Sequence, residues 1–446
     1  MSNYETLQKY TIAELRLTLS NLGGAPNNKK KHELIDEILK IESGEISAKR
    51  SNRGRPSERA KRGENGEYYF SPVKPHHVVL NDRVTDQPLT PEHCAGYLEV
   101  VSQSYGFLCA EDYLKESAIY VPLPLIKANN LRTGDFVEGS GVLLADKRII
   151  ELEKVDKVNG HEPSDALRTP FYNKTALCPT KQIVLGSENS ALKVIDVACP
   201  IGKGQRVLVS SKSARQTKDF TISVLNALQS KADVKTILYL ADERPEQINF
   251  YKTAYPCVEV MYSAFDKDHD YRAHVGEMAF SRATALCEDG NDVVIIVDSL
   301  SKLLKACLGV GGVYQSDLTA KHKAIGQVLK YFGLARNFEK GSLTVIGIVA
   351  EDWDFEVSKI LNTEAVNLAN CKVTLDEFLY EEGVIPGVDI LNSYTEDHAL
   401  MSTGENSVLA LRLVKKALRN GQIEQAEASK IISELTVSEI IDKFGA

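Results

Sequence analysis

The chain has 446 residues, which is enough for two to four domains with a large hydrophobic core. Its net charge of -8 excludes a uniformly basic protein, and no apolar run is long enough to span a membrane. Because no signal peptide is evident either, we expect a soluble, cytoplasmic protein with no membrane partner. The eight cysteines contain no Cys-x-x-Cys pair, so we expect reduced thiols and no metal site.

Residues 1–42 have the pattern of a small helical module. Thr11 and Glu14 have the spacing of a capping box, and apolar residues at helical spacing follow. A second helix is predicted for residues 31–41. The lysines at 29–31 between the two helices are equally compatible with a nucleic-acid contact and with a solvated loop.

Residues 43–92 are predicted to be a disordered basic linker. Its basic island, residues 47–63, contains one acid and too few apolar residues to fold alone. Residues 53–56, Arg-Gly-Arg-Pro, resemble the core of an AT-hook, whose arginines enter an A·T minor groove. A general phosphate-binding tail is the alternative. The candidate nucleic-acid contacts, which include contacts to DNA, are Arg53, Arg55, Arg59 and Arg62.

Residues 93–165 are predicted to form a small β-barrel. The run Tyr105-Gly106-Phe107 places two aromatic rings on one side of a strand, with a glycine between them that allows close approach. Tyr120, in the next predicted strand, could join them. An exposed aromatic trio of this kind is a platform on which single-stranded bases stack, although alternate aromatic residues also occur in barrel cores.

Residues 180–446 alternate strands with helices and end in further helices. Strands predicted at 207–209, 236–240, 293–297 and 343–349 therefore imply a parallel sheet. Ligands bind at the carboxyl ends of parallel strands, where Glu243, Arg244 and Asp298 lie. Such acids activate water or orient magnesium in nucleotide hydrolases. Capping or ion pairing in a fold that has lost its ligand is the alternative.

The first strand-to-helix connection, residues 210–218, lies where a phosphate-binding loop would be. Such a loop needs glycines for close backbone approach, a lysine for the phosphates and a hydroxyl for magnesium. This segment contains no glycine, and Asp219 follows Lys218. Its candidate contact residues are Lys212, Arg215, Thr217 and Lys218. The sequence thus predicts the geometry of a nucleotide hydrolase without its phosphate chemistry.

Several segments together resemble the bacterial transcription termination factor Rho family. Members of this family are hexameric RNA-dependent ATPases and helicases. The resemblance rests on residues 96–100, 105–108, 119–121, 130–135, 194–196, 200–206, 242–246, 297–299, 331–337 and 341–344. It implies a multidomain α/β protein. The expected parts are an N-terminal helical module, an RNA-binding OB-fold barrel, a RecA-like ATPase-type domain with a parallel sheet, and C-terminal helices.

The resemblance also implies roles for single residues. Tyr105, Phe107 and Tyr120 match family RNA-contact positions, and Glu243 and Asp298 match the catalytic glutamate and the magnesium-orienting aspartate. Other positions depart from the family. The arginine finger falls on Glu396, and loss of such a finger alone costs roughly 10³–10⁵ in rate. The remaining departures are Gly383 for an arginine, Ile385 and Ile149 for aromatic residues, Cys109 for an arginine, and residues 366–369 for a lysine- and glycine-rich pore loop.

The leading hypothesis is a Rho-like protein that binds single-stranded RNA, acts in or on transcription termination, and has lost or strongly impaired ATPase activity. It would need no cofactor and would form a ring with itself or with an authentic Rho. One alternative is a divergent but active ATP-dependent RNA helicase that uses Mg-ATP, with Lys212 or Lys218 at the phosphates. Another is a structural protein that forms a scaffold or filament.

Overall fold

The computed structural model describes residues 30–42, 61–62, 68–69, 92–102, 105–110, 118–144, 149–164, 168–186, 190–310, 318–350, 355–397, 400 and 405–445. The chain divides into two compact units, residues 1–58 and 59–446. In the first unit, helix α1 (Lys31–Glu42) buries Leu34 and Ile35. The rest of the predicted helical module lies outside the described residues.

The predicted linker is described at two short segments. Strand β1 (Lys61–Arg62) pairs antiparallel with β2 (Tyr68–Tyr69). The candidate contact Arg62 is therefore in β1. Arg53, Arg55 and Arg59 lie outside the described residues, so their proposed contacts stay predictions.

The predicted barrel is confirmed as five strands closed in the order β3-β4-β5-β7-β6. They are β3 (Glu92–Ser102), β4 (Tyr105–Cys109), β5 (Ile119–Pro122), β6 (Phe136–Leu144) and β7 (Ile149–Val158), with helix α2 (Leu123–Ala128) after β5. Glycines allow the long strand β6 to bend, since a Cβ on Gly139 or Gly141 would collide with carbonyl oxygens of β7. Leu98, Leu108 and Val121 are among the residues that fill the interior.

The α/β domain is built on a sheet in the order β10-β9-β11-β13-β8-β14-β15, in which β10 to β14 run parallel. Its strands are β8 (Arg206–Ser211), β9 (Lys235–Glu243), β10 (Glu259–Ala264), β11 (Asp292–Asp298), β12 (Arg336–Asn337), β13 (Ser342–Ala350), β14 (Cys371–Thr374) and β15 (Tyr394–Thr395). Strands β12 and β15 pair antiparallel with β13 and β14. The four predicted strands are confirmed as parts of β8, β9, β11 and β13.

Helices cover both faces of this sheet and bury its near-continuous apolar strands, as a parallel sheet requires. The described helices of the domain are α3 (Lys193–Ala198), α4 (Ala214–Leu228), α5 (Pro245–Ala254), α6 (His269–Glu288), α7 (Leu300–Leu308), α8 (Leu318–Phe332), α9 (Phe355–Leu368) and α10 (Glu377–Glu381). The C-terminal helices are α11 (Glu405–Arg419), α12 (Gln425–Glu434) and α13 (Val437–Phe444). Helix α12 ends at Glu434, and Thr436 caps a separate helix, α13.

A polar network, here called the junction network, joins the barrel to the far end of α6. It consists of Arg132, Asp135, Asn159, Arg168, Arg282, Glu288 and Asp289. Asp135 is fully buried and accepts hydrogen bonds from Arg168 at 2.6 and 2.8 Å and from Asn159 at 2.9 Å. Burial lowers the pKa of Arg168, but the hydrogen bonds and charges of Asp135 and Asp289 outweigh it and raise the pKa. The barrel is thus fixed to the α/β domain by partly buried ion pairs centred on the buried Asp135.

Candidate functional site

The structure brings the three predicted aromatic residues together on the outer wall of the barrel. The ring centroids of Tyr105 and Tyr120 are 5.8 Å apart in a stacked arrangement, and Phe107 meets these rings edge-on at 5.6 and 6.1 Å. The register explains the cluster, because Phe107 pairs with Tyr120 and Tyr105 pairs with Pro122 across β4 and β5. All three side chains remain partly exposed, so the platform can present ring faces to bases.

Gly106 lies between Tyr105 and Phe107 and faces the opposite side of the strand, toward the barrel interior. A Cβ at Gly106 would lie 2.8 Å from the Glu99 carbonyl oxygen and 2.9 Å from Leu98 Cδ1, inside the barrel. From the sequence, this glycine was expected to allow close approach at the aromatic pair. The structure instead assigns it to close packing of β4 on β3. Cys109, at the end of the same strand, is buried in the core.

The predicted catalytic acids do gather at the carboxyl ends of the neighbouring strands β9 and β11. Asp298, which is 7% exposed, pairs in register with Leu240, three residues before Glu243. Burial raises the pKa of the Tyr251 hydroxyl, and the nearby carboxylates of Asp298 and Glu243 raise it further. Arg244 is the exposed N-cap residue of α5.

The Glu243 carboxylate is engaged by a cation that sequence reasoning missed. Lys302 Nζ lies 2.6 Å from Glu243 Oε2, and the backbone N–H of Arg244 donates to Oε1 at 3.0 Å. The preceding residue, Asp242, is paired with Arg272 and with Lys305. Lys302 and Lys305 repeat at helical spacing in α7, which follows β11 directly, and this pattern was the available signal. Both acids at the end of β9 are therefore neutralised within the chain.

The predicted phosphate loop is shorter than the sequence indicated, which corrects the boundaries 210–218. Strand β8 continues to Ser211 and helix α4 begins at Ala214, so only Lys212 and Ser213 lie between them. The Ser213 N–H donates to Ser211 Oγ, and the Thr217 N–H donates to the Ser213 carbonyl oxygen. Arg215, Thr217 and Lys218 thus belong to the first turns of a helix.

Side chains fill the space beside this turn. Gln216 is 1% exposed, accepts a hydrogen bond from Ser211 Oγ at 3.0 Å and donates to the Asp376 carbonyl oxygen at 2.8 Å. Thr217, also buried, donates its hydroxyl to the Ala214 carbonyl oxygen. The Lys218 ammonium lies over the Phe250 ring, 5.8 Å from its centroid. Lys212 and Arg215 are exposed.

Lys212 lines a cleft of about 400 Å³ whose charge is mostly negative. The other charged lining residues are Asp376, Glu377, Glu381 and Asp389. Helix α10, which forms one wall, is tied to α4 by the Tyr380 hydroxyl, which donates to Asp219 at 2.6 Å. This cleft is therefore a poor environment for phosphates, because four carboxylates oppose one lysine.

Other positions at which the sequence departs from the Rho-like pattern lie on the surface or in regular secondary structure. Glu396 is exposed directly after β15, and Ile385 is 43% exposed. Residues 366–368 form the last turn of α9, and Ala369 is buried. Within the described residues, no group of three or more His, Cys, Asp or Glu side chains is arranged to hold a metal ion. None of the described helices is both long and apolar enough to cross a membrane.

Two family models match the two folded parts of the chain. Residues 94–164 match the RNA-binding domain of the Rho termination factor, and residues 191–395 match the nucleotide-binding domain of the ATP synthase alpha/beta family. Solved structures with the same fold include a type III secretion ATPase from pathogenic bacteria, with a TM-score of 0.50 and 18% identity over 66% of this chain and 94% of that one. The chain is thus an RNA-binding barrel joined to an ATPase-type domain.

Curated relatives narrow this class to one family. The transcription termination factors Rho of Borreliella burgdorferi and Pseudomonas fluorescens are each 31% identical, over 76% and 78% of this chain and 67% and 86% of their own lengths. The Rho of Chromobacterium violaceum is 33% identical over 69% of this chain and 76% of its own length. The chain belongs to the transcription termination factor Rho family.

Proposed function

We propose that this chain is an RNA-binding member of the Rho family that acts in or on transcription termination with lost or strongly impaired ATP hydrolysis. The observation that carries the proposal is the turn between β8 and α4. The N–H groups of Ser213 and Thr217 are hydrogen-bonded within the chain, and Gln216 occupies the space beside the turn. A phosphate needs free backbone N–H groups at this position.

The state of Glu243 supports the same proposal. A general base must be free to accept a proton from the attacking water. Glu243 is instead held by Lys302 at 2.6 Å. Magnesium-ATP does not fit the residues present, since the acidic cleft at Lys212 would repel its phosphates. We therefore assign no hydrolytic step to these side chains.

The aromatic trio supports single-stranded RNA as the ligand of the barrel. Tyr105, Phe107 and Tyr120 combine partly exposed rings with fixed spacing, which suits base stacking at low conformational cost. We further propose that the chain assembles with itself or with an authentic Rho, and that the basic linker adds contacts to nucleic acid. In mixed rings, it would regulate termination by supplying inactive subunits.

The proposed loss of ATP hydrolysis is tested by measuring RNA-stimulated ATP hydrolysis together with ATP binding by calorimetry. We expect neither turnover nor binding of magnesium-ATP. The Glu243→Ala variant is the control for a contaminating ATPase, because removal of this carboxylate cannot affect a contaminant. Turnover that disappears in Glu243→Ala would instead establish an active, divergent RNA-dependent ATPase.

RNA binding is tested separately, with fluorescence anisotropy on a cytidine-rich oligonucleotide. We expect Tyr105→Ala and Phe107→Ala each to weaken binding about tenfold, because one stacked base is worth roughly 1–3 kcal/mol. Phe265→Ala is the matched control, since Phe265 is 56% exposed and lies outside the barrel. Equal affinities for all four proteins would contradict the proposed RNA site.

A further inference from the structure

An exposed aromatic ring and an arginine form a second stack outside the barrel, directly after it in the chain. Tyr172 is 65% exposed in the turn at residues 171–173. The Arg336 guanidinium, in β12, lies 5.5 Å from the ring centroids of both Phe171 and Tyr172. Phe171 is buried and anchors the turn, so Tyr172 is held outward on a fixed support.

The charge of Arg336 is not balanced by the carboxylates around it. Within the part of the chain that the structure describes, Arg336 contacts the two rings and forms no ion pair. Three carboxylates on neighbouring elements already have partners, since Glu288 pairs with Arg132, Asp289 with Arg168, and Asp292 with Lys203. A partly buried guanidinium in this state favours an anion.

A second guanidinium lies beside this stack. Arg206 donates to the carbonyl oxygens of Leu368 and of Ala335, the residue before Arg336. Both acceptors are neutral, so positive charge accumulates at this edge of the sheet. An exposed ring next to two such cations matches a nucleotide unit, which offers a base face and a phosphate at short separation.

The stack is connected rigidly to the barrel. Glu288, at the end of α6, accepts from Arg132 of the barrel at 2.5 Å and from the Phe171 N–H at 2.6 Å. A further contact of the barrel with α6, nearer the start of the helix, joins Glu99 to His274 at 3.2 Å, and Glu99 pairs with Phe107 of the trio. Fourteen residues of helix separate His274 from Glu288, which is about 20 Å. A strand of several nucleotides can cover this distance.

We propose that Tyr172 and Arg336, with Arg206 beside them, form a second contact for single-stranded RNA that continues from the barrel along α6. This inference rests on the proposed function, because it needs RNA on the aromatic trio. Tyr172 would stack on a base, and the guanidinium of Arg336 would pair with a phosphate. The second contact would extend the length of RNA that one chain holds.

The test compares two oligocytidylates, one of about 6 nucleotides, which one OB fold can cover, and one of about 24 nucleotides. We expect Tyr172→Ala to weaken binding of the long oligonucleotide about tenfold and to leave the short one unchanged. We expect Arg336→Gln to lower the slope of log K against log salt by about 0.7, the value for one phosphate contact on a single strand.

Two conservative variants separate contact from packing. Tyr172→Phe keeps the ring and should keep the affinity, and Arg336→Lys keeps the charge and should keep the salt slope. If Tyr105→Ala weakens both oligonucleotides while Tyr172→Ala binds both as the wild type does, the second contact is wrong and the RNA function stands. If the wild type binds neither oligonucleotide, the proposed function itself fails.

Discussion

Single residues show that a sequence can reveal a missing motif but does not reveal the contacts that replace it. The missing glycines of residues 210–218 are evident in the sequence. The contacts that took their place are not, because Gln216 reaches Asp376, which is 160 residues away. Likewise Lys302, the partner of Glu243, lies 59 residues beyond it. Local spacing can mark a side chain such as Lys302 as a candidate, but it cannot identify a partner that only the fold brings close.

At the residue scale, the packing around Gly106 predicts the effect of a substitution on stability. Gly106→Ala places a Cβ against the Glu99 carbonyl oxygen and Leu98 inside a closed barrel. We expect a loss of about 1–3 kcal/mol in the free energy of unfolding from overpacking, measured by urea denaturation. Gly326→Ala is the matched control, since Gly326 is exposed within α8 with open space at its Cβ. It should be neutral or slightly stabilising. Equal stability of the two variants would contradict the inward assignment of Gly106.

At the scale of elements, hydrophobic periodicity located the strands but not their ends. The core residues 207–209 of β8 were predicted, but the strand extends to Ser211 because its polar end pairs in register with β13 and β14. Helix α4 begins at Ala214, inside the segment 210–218 that was predicted to be a loop. Side-chain hydrogen bonds across the turn, from Ser211 to Gln216 and onward to Asp376, fix these ends, and helix propensity does not include such contacts. The barrel itself was predicted from its short alternating strands, but its strand order comes from the structure.

Helix α13 offers a pH-dependent prediction. Hydrogen bonds from the Thr436 backbone and side chain lower the pKa of Glu439 below its ordinary value of 4.5. A carboxylate with a lowered folded-state pKa stabilises the helix above the unfolded-state pKa, and this stabilisation is lost as the pH falls through the folded-state value. We expect α13 to fray in this acidic range, read from amide hydrogen exchange corrected for its intrinsic pH dependence.

Thr436→Ala should remove the side-chain part of this cap and weaken the pH dependence of α13, although the backbone N–H of residue 436 can still donate to Glu439. Ser438→Ala is the control in the same helix, because Ser438 is exposed and the capping box remains. A wild-type pH profile in Thr436→Ala would show that the capping box does not hold the helix end.

At the scale of the whole molecule, the structure explains the residues of the family motif at 130–135. Asp135 is the buried centre of the junction network, and a Cβ on Gly134 would collide with the backbone of α6 at Ser281. The resemblance could locate this segment as a family feature. It could not show that the segment binds the barrel to the α/β domain, since Arg168, Arg282 and Asp289 come from distant parts of the chain.

Arg168→Met tests the junction network. The substitution leaves Asp135 fully buried without its cation, so we expect a loss of about 3–5 kcal/mol in the free energy of unfolding. Urea denaturation should also show the barrel unfolding in a separate transition. Lys154→Met is the control, because it breaks only the exposed pair with Asp156 and should change nothing measurable. If the two variants unfold alike, the junction does not depend on these ion pairs.

The filled turn between β8 and α4 has a thermodynamic consequence for the proposed RNA-binding protein. A translocating ring moves in one direction because fuel consumption breaks detailed balance at each step. A chain without that fuel obeys detailed balance, so each forward step on RNA is matched by its reverse. Such a protein can occupy a transcript and exclude competitors for as long as its dissociation rate allows. Its influence on termination would then scale with its concentration and residence time, and it would be indifferent to the energy charge of the cell.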